Sequence, residues 1–209
     1  MNRLLNHRFM SRRNEVASGF TIVELLIVIV IIAILATITV IAYKGIQDKA
    51  YATKGAAVAE SYANLATMYD LDNGTYPERS DGPVNGGICL GTAADYPANS
   101  DFAEGQCSSS SEWGDRYIDT GFNSSLKPYS SVIPSGSIST VTDTNTGDKF
   151  RGAIYHTNEW NDWSTHIHYF LKGDQTCPKG VAYQYDNITE CIVNLNGDAF
   201  NDSAQGGEG

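Results

Sequence analysis

The chain has 209 residues, 42% of them apolar, and a formal net charge of −10. This length accommodates one modest folded domain beside an unusual N-terminus, whereas two full domains would be crowded. The first nineteen residues hold four arginines and one glutamate, which leaves 10 basic and 23 acidic side chains of the chain's 14 and 24 for the rest. The acidic remainder argues against a broad basic surface, so we expect no direct nucleic-acid binding.

An apolar stretch, residues 20–42, follows the basic segment and contains one charge, Glu24, and no Pro or Gly. As a helix it is about 35 Å long, enough to cross a bilayer core of about 30 Å. The arginines before it predict a cytoplasmic N-terminus and an exported remainder. An ordinary secretory signal places its cleavage site after the apolar run, and no clear signal for such a cut is present. The alternative is an uncleaved anchor for a soluble ectodomain.

Glu24 is the unusual residue of this stretch, since an ionised carboxylate inside a membrane segment is costly and usually has a partner or a function. A position at the headgroup boundary, where the cost is small, is the plainer explanation. Its place just after a Gly-Phe junction favours a functional role.

Residues 19–26 read Gly-Phe-Thr-Ile-Val-Glu-Leu-Leu, after a basic leader and before a long apolar helix. This pattern resembles the class III signal of type IV prepilins. The resemblance implies that a membrane prepilin peptidase cuts between Gly19 and Phe20 and methylates the new amine of Phe20. It also implies that Glu24 pairs with that amine on a neighbouring copy, and that a pilus assembly ATPase and an inner-membrane platform build a helical homopolymer.

Two features depart from the resemblance. Type IV pilins often carry a Gly and a Pro inside this helix, where local melting occurs on assembly, but the matching positions here are Ala33 and Ile41. The leader of nineteen residues is also longer than in many pilins. The first departure puts a melted segment in doubt, and the second concerns the subclass more than the family.

The helical pattern continues beyond the apolar stretch, and one nearly continuous helix is expected from about Phe20 to Leu71. The sequence at 73–77, Asn-Gly-Thr-Tyr-Pro, supplies a stop and resembles the motif that follows the long helix in many pilins and secretion pseudopilins. Five alanines after position 55 raise helix propensity. The residues expected to form the packing face are Ile46, Ala50, Val58, Tyr62, Leu65 and Tyr69.

The part after the helix is expected to form an α+β head. Residues 78–111 are rich in Gly, Ser, Asp, Pro and Asn and predict a long surface loop. Strands are predicted within residues 150–157, 164–172, 181–185 and 190–196, and their apolar faces would pack as a four-stranded antiparallel sheet on the helix. The expected division of the chain is leader 1–19, membrane or filament-core helix 20–43, amphipathic helix 44–72, head 73–200 and disordered tail 201–209.

The four cysteines all lie on the predicted exported side, where an even number indicates disulfides. Their spacings match no common zinc pattern, and three pairings are possible. We favour the sequential pairs, Cys89 with Cys107 and Cys177 with Cys191, because each closes a local loop.

Three other groups are candidate sites with plainer alternatives. His166 and His168 share one strand face, which suits a metal, but ordinary sheet packing is the default. A turn with Asp202 nearby supplies oxygen atoms for calcium without a full calcium loop; its weak candidates are Asn194, Asn196 and Asp198. An aromatic group suits stacking on sugars or bases, although core packing is the default; its members are Tyr155, Trp160, Trp163 and Tyr169.

No catalytic or phosphate-binding motif is present in the sequence, and no cofactor is expected. The hypothesis is therefore a type IV pilin-like, non-enzymatic filament subunit, held in the membrane as a precursor and then part of an extracellular pilus. A type II secretion pseudopilin and a membrane-anchored binding ectodomain that does not polymerise are the alternatives.

Overall fold

The computed structural model describes residues 19–80, 87–111, 114–157, 165–185 and 187–196. The chain divides into two units, Met1–Lys44 and Gly45–Gly209, and each is described by itself. The predicted tail, and all of the predicted leader except Gly19, lie outside the described residues.

Helix α1, Ile22–Asn73, is the long helix that the sequence predicts. It ends at the predicted stop: the Asn73 side chain donates to the carbonyl of Tyr69, and the Gly74 N–H donates to the carbonyl of Asp70. Gly74 has a φ of +71°, a left-handed conformation that glycine adopts without steric cost and that commonly ends helices.

A five-stranded antiparallel sheet has the strand order β1-β6-β7-β9-β8. Strands β7 and β9 form its centre and pair over seven positions, from His166↔Asn194 to Lys172↔Ile188. Each of the four predicted strand segments overlaps a strand of this sheet, so the α+β class is confirmed, and β1 is the additional member. Its strands are β1 (Ile88–Cys89), β6 (Ile154–His156), β7 (His166–Lys172), β8 (Val181–Tyr185) and β9 (Ile188–Asn194).

One face of this sheet packs against the part of α1 that belongs to the second unit. The helix contributes small residues together with Tyr62, and the sheet contributes large ones, among them Ile167, Tyr169 and Val193. Small side chains let the helix approach the sheet closely. An ideal Cβ on Gly55 would lie 2.7 Å from Cδ2 of Tyr169, so only glycine fits at this position without a shift.

The predicted packing face of α1 is partly wrong. Val58, Tyr62 and Leu65 are buried as expected, whereas Ile46 is 66% exposed and Ala50 is exposed. The helix faces the sheet through alanines that the sequence analysis did not place on the packing face: it credited three of them only with helix propensity and did not consider Ala52. The prediction took large apolar residues as the sign of a packing face. The contact between this helix and the sheet is close and requires small residues instead. The buried alanines of α1 are Ala52, Ala56, Ala59 and Ala66.

A second, four-stranded antiparallel sheet has the order β3-β2-β5-β4, which the sequence did not predict. The segment 150–157, predicted as one strand, is divided at Ala153: its first half belongs to this sheet and its second half to the five-stranded sheet. The strands of the second sheet are β2 (Gln106–Ser109), β3 (Arg116–Tyr117), β4 (Ser137–Thr142) and β5 (Lys149–Gly152).

The segment predicted as a long surface loop contributes to the core instead. Tyr96 and Cys107 are fully buried and Phe102 is 3% exposed. Arg151 enters this region with 6% of its surface exposed and donates to the carbonyls of Gln106, Pro97 and Ala103 at 2.7, 2.7 and 3.0 Å. These apolar residues are isolated among polar ones, so no periodicity revealed their burial.

A short helix, α2 (Thr120–Leu126), follows β3. Its Phe122 and Leu126 pack into the core between α1 and the five-stranded sheet, which we call the main core. Asp119 is its N-cap and accepts hydrogen bonds from the backbone N–H groups of Gly121 and Phe122 at 2.7 and 3.0 Å. The capping carboxylate fixes where this helix begins.

Candidate functional site

The segment around the Gly19–Phe20 bond lies outside regular structure and is accessible. Residues 19–21 precede the first turn of α1, and Phe20 is 87% exposed. Among the described residues beyond its chain neighbours, no atom lies within 4 Å of the position that a Cβ on Gly19 would occupy. The described part of this segment is therefore exposed.

Thr21 and Glu24 form a reciprocal capping box at the start of α1. The Thr21 N–H and hydroxyl donate to Oε2 of Glu24 at 2.9 and 2.8 Å, and the Glu24 N–H donates to the Thr21 hydroxyl at 3.2 Å. Backbone donors at a helix start need such acceptors. The sequence analysis did not assign a role to Thr21, although the spacing Thr-x-x-Glu is the signal for this box.

One carboxylate oxygen of Glu24, Oε1, takes no part in the capping box. Both Thr21 donors bind Oε2, and no hydrogen bond to Oε1 is recorded among the described residues. The capping box thus fixes the carboxylate at the helix start and leaves Oε1 able to accept from a cation.

Beyond Glu24, the helix presents apolar side chains around its whole circumference up to residue 39, and every one is exposed within its unit. This portion of α1 is long and apolar enough to cross a membrane. The hydroxyls of Thr37 and Thr39 donate to helix carbonyls one turn earlier, so they leave no polar group unsatisfied in an apolar environment. The segment therefore suits lipid or the interior of an assembly.

The cysteines form the two sequential disulfides, Cys89–Cys107 and Cys177–Cys191. The first connects β1 to β2 and so joins the two sheets, and the second anchors the connection before β8 to the central strand β9. Each closes a short loop, of 18 and 14 residues in sequence separation. The first disulfide therefore stabilises the contact between the sheets, and the second stabilises a connection.

The candidate histidines are packed within the head. His166 and His168 lie on one face of β7 with ring centroids 4.6 Å apart, and His156 of β6 joins them. His168 Nδ1 contacts Oε1 of Glu190, an acidic partner that the sequence analysis did not find because β9 lies about twenty residues further along the chain. Among the described residues, no group of three His, Cys, Asp or Glu is arranged to hold a metal ion.

Of the remaining candidate residues, the described calcium candidates lie in a turn and the described aromatic residues lie in the core. Asn194 ends β9, and its side-chain oxygen accepts from the Asn196 N–H at 3.1 Å, which is ordinary turn chemistry. Tyr155 and Tyr169 are 1% and 0% exposed and pack in the main core rather than on a binding surface. Asp198, Asp202, Trp160 and Trp163 lie outside the described residues.

Comparison with known proteins locates the same N-terminal segment. Residues 16–40 match the family model described as the prokaryotic N-terminal methylation motif. The motif contains Gly19, Phe20 and Glu24, the residues whose geometry is described above. No solved structure matches the chain.

Three curated relatives show the breadth of the similarity. The chain is 36% identical over 67 residues to type IV major pilin protein PilE1 of Neisseria gonorrhoeae, covering 32% of this chain and 41% of that protein. It is 38% identical over 73 residues to type II secretion system core protein G of Aeromonas hydrophila, covering 35% and 50%. Core protein G of Escherichia coli K12 is 37% identical over 71 residues, covering 34% and 49%. The chain spans half or less of the length of these relatives.

Proposed function

We propose that this type IV pilin-like protein, a filament subunit by its methylation motif and its relatives, builds a type IV pilus-like extracellular filament. The observation that carries the proposal is Glu24 near the start of an apolar stretch, residues 22–39, whose side chains are all exposed within their unit. A carboxylate in that position is costly in lipid unless a cation meets it. A filament core of identical helices supplies both the apolar environment and the cation.

Processing creates that cation. A prepilin peptidase cuts the exposed bond between Gly19 and Phe20 and methylates the new amine, which places a positive charge one residue before Thr21, the first residue of the capping box. The open backbone at Gly19 supports this step, because a peptidase must draw the chain into an extended conformation. Before the cut, the arginines of the leader hold the N-terminus in the cytoplasm and the helix crosses the membrane once.

Glu24 then sets the axial register between copies. Thr21 orients the carboxylate through Oε2, and Oε1 accepts the Phe20 ammonium of a neighbouring subunit. Two charges that are each expensive in a dry core become tolerable when they pair, and only one stagger of the helices pairs them. The apolar side chains from Ile22 onward pack the core of the filament.

The other expected partners are the proteins that assemble the filament. A cytoplasmic ATP-driven machine and its membrane platform extract the processed subunit, and the head reaches the exterior with its two disulfides formed. We expect no catalytic activity. Adhesion, motility and DNA uptake are activities of a whole filament, to which this subunit contributes its structure.

A type II secretion pseudopilin is the second candidate, and its support is the similarity to two core protein G sequences. Deleting the gene separates the two functions. If the protein is a pilus subunit, the deletion removes surface filaments from sheared material and leaves secretion intact. If it is a pseudopilin, the deletion blocks the release of exported enzymes. If it is a membrane-anchored ectodomain, the deletion has neither effect.

The test of the proposal is Glu24→Gln, with Glu60→Gln as the matched control. Glu60 lies on the same helix, is exposed and forms a surface ion pair with Lys179 at 3.5 Å. We expect Glu24→Gln to be cleaved and methylated normally while filament yield falls at least tenfold, and Glu60→Gln to match the wild type. Normal filament yield with Glu24→Gln would refute the register role.

A further inference from the structure

Three of the chain's four histidines lie together in the head. The histidine cluster, defined as His156, His166 and His168, occupies the face of the five-stranded sheet opposite α1, because side chains alternate along β6 and β7. Ring centroids are 5.2 Å apart for His156–His166, which stack within 8° of parallel, 4.7 Å for His156–His168 and 4.6 Å for His166–His168. None of these rings has a part in the proposed filament core.

Charged groups approach this cluster from two other strands. Glu190 of β9 is 2% exposed and contacts His168 Nδ1. Arg116 of β3 acts on His156 as a positive charge. Among the described residues, the titratable groups facing His156 are therefore two imidazoles and one guanidinium, and the buried carboxylate contacts His168 instead.

His156 is the member that is least able to accept a proton. Its Nε2 is buried and has no hydrogen-bond partner among the described residues. The backbone at Gly87, just before β1, lies close to this part of the ring, since an ideal Cβ there would be 2.7 Å from Nε2 and 2.8 Å from Cε1. Burial, then the neighbouring rings of His168 and His166, and then Arg116 hold the pKa of His156 well below its ordinary value of 6.5.

We propose that the histidine cluster is an acid-sensitive latch at the β1 edge of the five-stranded sheet: neutral His156 lets Gly87 and β1 pack beside it, and its protonation requires that β1 separates from β6. Strand β1 has two residues and pairs with β6 through Ile88↔Tyr155 and Cys89↔Ile154. Its separation also breaks the bridge from Cys89 to Ile118 and the hydrogen bond from the Leu90 N–H to the carbonyl of Ala153. The Cys89–Cys107 disulfide keeps the released segment attached, so closure is reversible.

The direction of the pH effect follows from linkage. The closed form has a lowered His156 pKa and the open or unfolded form has the ordinary one, so below about pH 6.5 the open form binds a proton that the closed form does not. Stability from closure is complete above that pH and declines as the pH falls. The equilibrium constant for opening rises about tenfold per pH unit until the closed form also takes the proton.

Urea unfolding of the full chain in detergent, with EDTA present, tests the latch at pH 7.5, 6.5, 5.5 and 4.5. The variant His156→Phe retains a flat ring that stacks on His166 and cannot be protonated. Relative to this variant, the unfolding constant of the wild type should rise about tenfold per pH unit below 6.5. Parallel pH profiles for the two proteins would overturn the proposal.

A second measurement needs no variant. In the NMR spectrum of the folded wild type, the His156 ring proton should not titrate between pH 7.5 and 6, whereas all histidines titrate near 6.5 in urea. Amide exchange at Ile88 and Tyr155, corrected for the intrinsic effect of pH, should accelerate in acid while the Tyr62 amide of α1 does not. An ordinary His156 titration in the folded head, or equal acceleration at Tyr62, would overturn the latch.

Discussion

The two units of this chain place their apolar side chains in opposite ways. In the first, residues 22–39 expose every apolar side chain within the unit; Phe20 is 87% exposed and Ile29 is 57% exposed. In the second, Tyr62, Ile167 and Tyr169 are fully buried. An apolar surface that its own unit does not cover requires another solvent or another molecule, whereas a buried one stabilises the fold that contains it. The first unit therefore presents a surface that suits lipid or another molecule, whereas the second contains a core of its own.

Truncating one isoleucine in each unit should give the largest contrast. Ile167→Ala removes buried atoms from the centre of the main core and should destabilise the head by about 4 kcal/mol. Ile29→Ala should change head stability by less than about 0.5 kcal/mol, because Ile29 lies outside that core. Urea unfolding in detergent measures both. A similar loss from the two variants would remove the distinction between the units.

The Cys177–Cys191 disulfide should give the next largest effect. Replacing both cysteines with serine frees a loop of 14 residues in sequence separation and should cost the head about 3 kcal/mol, mainly through the entropy of the unfolded chain. Processing at Gly19 should be unaffected, since the disulfide lies in the other unit. Thermal unfolding and the intact mass of the variant test the two statements, and an uncut precursor would contradict the second.

The two glycines of α1 sharpen the comparison within one helix. Gly55→Val forces a side chain against Tyr169 and should destabilise the head by about 2 kcal/mol. Gly45→Val is the control, because no atom of the described residues outside its own stretch of helix backbone lies within 4 Å of its Cβ position, and its effect should stay within about 0.5 kcal/mol. Equal effects would show that helix propensity, and not contact with the sheet, determines tolerance at these positions.

The N-cap of α2 gives the smallest effect. Partial burial acts to raise the pKa of Asp119, but hydrogen bonds from Ser80, Phe122 and Gly121 outweigh it and lower the pKa below its ordinary value. Stability from this cap is present above the ordinary pKa near 4 and is lost as the pH falls through the lowered one. Asp119→Ala should cost about 1 kcal/mol at pH 7 and less at pH 2. Asp115→Ala, at an exposed position, is the control, and a pH-independent loss at position 119 would contradict the account.

The first unit was more predictable from the sequence than the second. A helix of exposed apolar residues depends only on local sequence, so residues 19–26 and the apolar run could each be identified. In the second unit, the stop at Gly74 could be identified for the same reason, because a helix end is also a local signal. Burial in the head depends on partners that are distant in sequence. The contact of Glu190 with His168, the alanine face of α1 and the change of sheet at Ala153 therefore became visible only in the structure.

The role of Thr21 could have been predicted from the sequence, although our sequence analysis did not predict it. Its spacing to Glu24 matches a capping box, and the structure forms that box. The prediction concentrated on the role of Glu24 between subunits and did not consider what holds the carboxylate within its own helix. Local and intermolecular roles of one side chain need to be considered together.

The most direct test of the filament account is the intact mass of the protein in sheared cell-surface material, compared between the wild type and Gly19→Val. The variant adds a branched side chain where no atom of the described structure lies within 4 Å, so it should impair the peptidase and leave the fold intact. The account predicts a wild-type chain that begins at methylated Phe20 in the sheared fraction, and a full-length variant retained in the membrane. Wild-type protein with an unprocessed N-terminus, or none in the sheared fraction, would contradict it.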